Sequence, residues 1–191
     1  MRMRLLILVS GGALALSACG KHDETTTNAT VDTNVAIDNG TAANTAAEAG
    51  PLTAQGFANA AAASDRFEVE SSRLAASAAA SAAVKSFADK MVSAHTASTA
   101  KLKSTASGLS PAVTPDDTLN PDQQSKLDSL RNLKGADFDT AYAAAQVEAH
   151  QKALDALKSY AASGDNDALK QLAGGMVPTV TAHLNMAKGL K

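Results

Sequence analysis

The sequence predicts an all-α fold, a four-helix bundle with a crossover loop and a short extra helix. Apolar residues recur at spacings of three and four from residue 52 onward, alanine is abundant, and no alternating β-branched run is long enough to argue for a strand. All six aromatic residues, four Phe and two Tyr, lie between Phe57 and Tyr160, which localises the core to residues 52–191, a size suited to one domain.

Two segments are expected ahead of that domain. Residues 1–18 have the form of a signal peptide: Met1-Arg2-Met3-Arg4 is basic, and Leu5 to Ala18 is apolar or small. The apolar run falls short of the roughly 20 residues that a spanning helix needs. Leu16-Ser17-Ala18-Cys19 looks like a bacterial lipobox, whose cysteine takes a diacylglyceryl group and becomes the mature N-terminus. Each acyl methylene adds about 0.8 kcal/mol of membrane affinity, so two or three chains on Cys19 hold the protein stably. Gly20 stands where an aspartate signals inner-membrane retention in Gram-negative lipoproteins. The expectation is therefore an envelope protein tied by lipid to the outer membrane and facing the periplasm. Residues 19–51 are rich in Thr, Asn, Ala and Asp, with Val31, Val35 and Ile37 as the only large apolar side chains. Such a stretch cannot offset the entropy of ordering itself and reads as a disordered tether.

The first helix is predicted to start with Thr53 as N-cap and Leu52 stapled to Phe57, and to bury Phe57, Ala60, Ser64, Phe67, Ser71, Leu74 and Ala78. Its end is unmarked, because Ala75 to Ala83 holds neither glycine nor proline. The second helix carries Val84, Phe87, Met91, His95, Ser98 and Leu102 and stops near Gly108. Pro111, Pro115 and Pro121 make the following stretch a crossover loop, and Asn120 with Pro121 opens the short helix. Gly135 and Asp137 introduce a third long helix bearing Phe138, Tyr142, Ala145, Ala149, Ala153, Leu157 and Tyr160, terminated at Gly164. The fourth begins near Asp165 and shows Leu169, Leu172, Met176, Val180, His183, Ala187 and Leu190; Pro178 is expected to kink or split it.

Composition excludes several functions. With Cys19, its one cysteine, consumed by lipid, the mature chain has no disulfide, no thiolate nucleophile and no cysteine metal ligand. Removing Arg2 and Arg4 leaves 15 basic residues against 19 acidic ones, so the net charge goes from −2 to −4. No basic stripe and no tryptophan platform remain for nucleic acid. There is no Gly-x-Ser-x-Gly and no phosphate-binding glycine loop, and paired carboxylates cannot be singled out from charges such as Asp65, Glu68 and Glu70, so nothing marks an enzyme.

Phe67-Glu68-Val69 leading to Leu74-Ala75, then Val84-Lys85-Ser86-Phe87-Ala88 leading to Met91-Val92 and His95, resemble the first half of the bacterial DUF4142 family. Gly135, Phe138-Asp139, Tyr142, Gln146-Val147 and His150, followed by Pro178 and His183-Leu184, resemble its second half. The resemblance covers residues 55 to 190 and implies a distantly ferritin-like four-helix bundle in an exported protein of unknown function.

One histidine falls on each of three helices, His95, His150 and His183, with Glu68 on the remaining one. Inward histidines and carboxylates from facing helices build the iron and manganese sites of bundles. His95 follows Met91 by four and His183 follows Val180 by three, so both point inward; His150 lies at the edge of its stripe. The Glu-x-x-His pair of di-iron sites is missing: the positions three before the histidines are Val92, Val147 and Val180. That leaves a mononuclear site of three histidines plus Glu68, for a transition metal such as iron. The competing expectation, which the sequence favours, is a structural or interaction module in which hydrogen-bonded histidines fix helix register. Glu70 and Asp139 read as solvated or capping groups, Tyr142 as core, and His22 as solvated beside the anchor.

Overall fold

The computed structural model describes residues 53–190. The expected signal peptide, Cys19, His22, the tether and the Leu52 staple lie outside them. Five helices follow one another: α1 Ala54–Ala78, α2 Ala82–Ser107, α3 Pro121–Arg131, α4 Gly135–Ser163 and α5 Asp167–Lys188. The pairs α1/α2 and α4/α5 form two helical hairpins, and α1 against α4 with α2 against α5 joins them into a four-helix bundle. The short α3 packs on α1 and α4.

Local chemistry sets most boundaries. The Thr53 hydroxyl accepts from Gly56 N at 3.1 Å, and the Asn120 side chain accepts from Gln123 N while Gln123 returns a bond to Asn120 N, a complete capping box ahead of α3. Gly135 begins α4 at φ 64°, a conformation that favours glycine. At the other end of α4, a Cβ on Gly164 would stand 2.6 Å from the Tyr160 ring.

The unmarked end of α1 is settled by a distant residue. Ser81 caps α2 with its hydroxyl at 3.4 Å from Val84 N, and its own N–H donates to Asp139 Oδ2 at 2.8 Å from the start of α4. Asp139 is thus a capping group, across 58 residues of sequence. The crossover runs along α1, with Gln55 donating to the Thr114 carbonyl and Asn59 accepting from Asp116 N. Of the kink or split expected at Pro178, the split does not occur: α5 runs unbroken through it. The carbonyl it leaves without a donor belongs to Gly174, and both residues face outward, where that oxygen can turn to solvent.

The buried face of α1 also differs from expectation. Ala60 is exposed, while Ala58, Ala62, Asp65, Glu68 and Ser72 are buried beside Phe57 and Phe67. Two apolar clusters result. One gathers Phe67, Phe87, Met91, Leu127, Phe138 and Tyr142; the other gathers Phe57, Leu102, Leu154, Tyr160, Leu169 and Leu172. A polar layer separates them.

Candidate metal centre

That layer is supplied by all four long helices: Asp65, Glu68, Ser71 and Ser72 from α1, His95 from α2, Gln146 and His150 from α4, and His183 from α5, all buried. His95, His150 and His183 meet there, their ring centroids 5.4, 5.5 and 5.6 Å apart pairwise. One ring nitrogen from each lies within 4.8 Å of the other two. Three points so related share a centre within about 2.8 Å, against metal–nitrogen bonds of about 2.0–2.1 Å. The rings need close by less than about 1 Å to hold one ion.

The hydrogen bonds of two of the rings decide which nitrogen is left without a partner. His95 Nδ1 lies 2.8 Å from Asp65 Oδ1, and a carboxylate can only accept, so Nδ1 carries the proton. His150 Nδ1 lies 2.8 Å from the Gln146 carbonyl and is likewise the donor. In each neutral ring the lone pair is therefore on Nε2, and no described group donates to either Nε2 atom or to His183 Nδ1, all three buried. A carboxylate or carbonyl behind a ligating histidine is the arrangement that orients imidazole toward a metal. The Thr99 hydroxyl, one turn beyond His95, steadies Asp65 at 3.1 Å from Oδ2.

Glu68, expected as a fourth ligand, is not among the converging atoms. Its Oε1 stands 3.5 Å from His150 Nδ1, behind that ring, and its Oε2 has no partner among the described residues. Asp65, read from the sequence as a helical surface charge, instead supports His95. The available signal was its position three residues before Glu68, which puts both on one face of α1. Glu70 is a partly exposed partner of Arg66 at 2.8 Å, and Tyr142 is core, its hydroxyl 2.7 Å from Ser72 Oγ.

Electrostatics favour the neutral, ligating form of His150 and His183 and the protonated form of His95. Burial pushes His150 and His183 down to about 4, with the neighbouring histidines adding to the effect, so both rings are neutral at pH 7. For His95 burial also opposes the charge, but the Asp65 hydrogen bond and the Glu68 and Asp65 carboxylates outweigh it and raise its pKa. Burial lifts Glu68 to about 7.

A helical bundle with a buried three-histidine cluster, compatible in donor type with a transition-metal ion, is the class of protein that these features define. The chain belongs to the family DUF4142, a domain of unknown function, whose model matches residues 39–190. Among solved structures it is similar to CopM in its Cu(II)-bound form, with a TM-score of 0.62 and 14% identity, over 73% of this chain and 96% of that one. At that identity the likeness establishes the helical fold. No curated protein matches the sequence.

Proposed function

We propose that the domain binds a single transition-metal ion, copper foremost, through His95, His150 and His183. The observation that carries this reading is the convergence of three buried histidines, one ring nitrogen from each within 4.8 Å of the other two, each ring also keeping a buried nitrogen without a hydrogen-bond partner among the described residues. A histidine layer serving only to fix helix register is expected to satisfy its own polar atoms, since an unpaired buried one costs roughly 1–3 kcal/mol. Iron was the sequence expectation, by analogy with carboxylate-bridged bundles. Three imidazoles without a converging carboxylate suit copper or zinc better, and copper(II) has the highest affinity of the first-row divalent ions for such donors. The Cu(II)-bound form of the similarly folded CopM supports testing copper first.

The same proposal places the domain in the bacterial envelope, tethered through lipid on Cys19 to the outer membrane and facing the periplasm, where it buffers or carries the metal. The signal-like segment, the lipobox-like Leu16-Ser17-Ala18-Cys19 and the following Gly20 support that placement. Titrating Cu(II) into the metal-free protein and recording its electron paramagnetic resonance spectrum tests the site. One equivalent with hyperfine splitting from three nitrogens is expected. A spectrum of weak surface binding, unchanged in a His150→Ala variant, would remove the metal reading and restore the structural module as the better account.

A further inference from the structure

The three histidines are not held alike. His95 is fixed by Asp65 and His150 by the Gln146 carbonyl, each through Nδ1 at 2.8 Å. His183 has no such anchor: its Nδ1 is buried without a partner among the described residues, and at 8% it is the most exposed of the three rings, against 6% for His95 and 1% for His150. What a ligating imidazole binds through its second nitrogen fixes its orientation. His183 is therefore the ring that turns at least cost, between the two rotamers common for long side chains in a helix.

The helix itself sets the direction of that turn. At about 100° per residue, Ala187 and Val180 lie roughly 40° and 60° to one side of His183 and are buried, while Thr179 and Met186 lie roughly 40° and 60° to the other side and are exposed. His183 stands at the border of the buried face of α5, and turning away from the triad takes it toward Met186. Met186, 38% exposed, is the one large apolar side chain on the surface among the described residues. Side chains three apart on a helix are neighbours, with Cβ atoms about 5–6 Å from each other, so an imidazole and a thioether at this spacing can share one ion.

We propose that His183 and Met186 form an outer site for Cu(I), through which the ion enters and leaves the triad, with His183 as the ligand that moves. The inference rests on the metal reading above and adds to it a route and an oxidation state. A thioether is a soft donor suited to Cu(I), and imidazole suits copper as well. The copper stays Cu(I) throughout: bonds to His95 and His150 break as the bond to the Met186 sulfur forms, and no electron is transferred.

The full mature chain, loaded without oxygen with one equivalent of Cu(I), is mixed with excess bicinchoninate, and the coloured Cu(I) chelate reports the rate of release. Met186→Leu keeps an exposed apolar side chain of similar size and removes the sulfur. Release is expected to slow about tenfold in this variant, with copper stoichiometry unchanged. Met176→Leu, on the same helix but partly buried and two turns away, should release at the parental rate. A second measurement follows the methyl groups of carbon-13-labelled methionine in a folded His150→Ala variant, where the broken triad leaves Cu(I) to the outer pair: the Met186 signal should shift and that of Met176 should not. Equal release from the parent and Met186→Leu, or a Met186 signal that Cu(I) leaves in place, would overturn the outer site. A parent that binds Cu(II) but not Cu(I) overturns the outer site alone, and one that binds neither overturns both readings.

Discussion

The bundle is filled in two different ways along its length. At the Tyr160 end, Phe57 and Tyr160 stack with ring centroids 4.1 Å apart, the Tyr160 hydroxyl donates to Asp165 at 2.9 Å, and apolar side chains from α1, α2, α4 and α5 occupy the rest. In the middle, the same four helices bring in two carboxylates, three imidazoles and an amide. Glu68, His95, Gln146, His150 and His183 each keep a buried polar atom without a partner among the described residues. The contrast separates what the fold needs from what it tolerates. Packing accounts for the end; the middle is held in place by that packing and calls for something from outside the chain.

Breaking the apolar end gives the largest expected loss of stability. Phe57→Ala removes a fully buried ring stacked on Tyr160 and is expected to destabilise the metal-free domain by about 3–5 kcal/mol in urea unfolding. Metal stoichiometry measured well below the unfolding transition should not change. A loss of metal there would mean that the two regions are not separable.

Asp65→Asn sharpens the comparison from the other side. The amide keeps the shape but no longer offers His95 Nδ1 a charged acceptor, so metal affinity should fall by about 10–100-fold, with the fold intact by circular dichroism. Unchanged affinity would show that Asp65 does not orient the ring.

A third effect is a pH dependence of stability in the metal-free state. Between about pH 4.5 and 6.5, His150 and His183 stay neutral in the folded chain but take up protons when it unfolds, so the stability they contribute is present above pH 6.5 and lost as pH falls toward 4. Glu68, raised to about 7, acts in the opposite sense: its contribution is present below about pH 4.5 and lost as pH rises through 7. Two groups against one leave a net loss of stability on acidification, about one proton in slope. Glu68→Gln removes the opposing group and should steepen that slope toward two protons; a flatter slope would contradict the buried, protonated state assigned to Glu68.

Much of this architecture was legible in the sequence because it depends on neighbours in the chain. The Thr53 and Asn120 caps, the stops at Gly108 and Gly164, and the inward spacing of His95 after Met91 are local features, and the structure agrees with each. Features set by distant partners were not legible. The end of α1 depends on Asp139, and the burial of Asp65 depends on His95 and Thr99 lying opposite it on α2. Glu68 could be named as a candidate ligand from the sequence, but not that it would stand behind His150 instead of beside the three converging nitrogens. Alanine-rich faces were equally ambiguous, since small side chains permit either close helix approach or, as between α1 and α4, an open slot.

The most direct test is the metal content of the protein purified from a periplasm without chelator or affinity-tag metal, beside a His95→Ala, His150→Ala double variant. One equivalent of a transition metal in the parent, absent from a variant that remains folded, is the predicted result. A folded parent that carries no metal and takes up none from added Cu(II) would contradict the account.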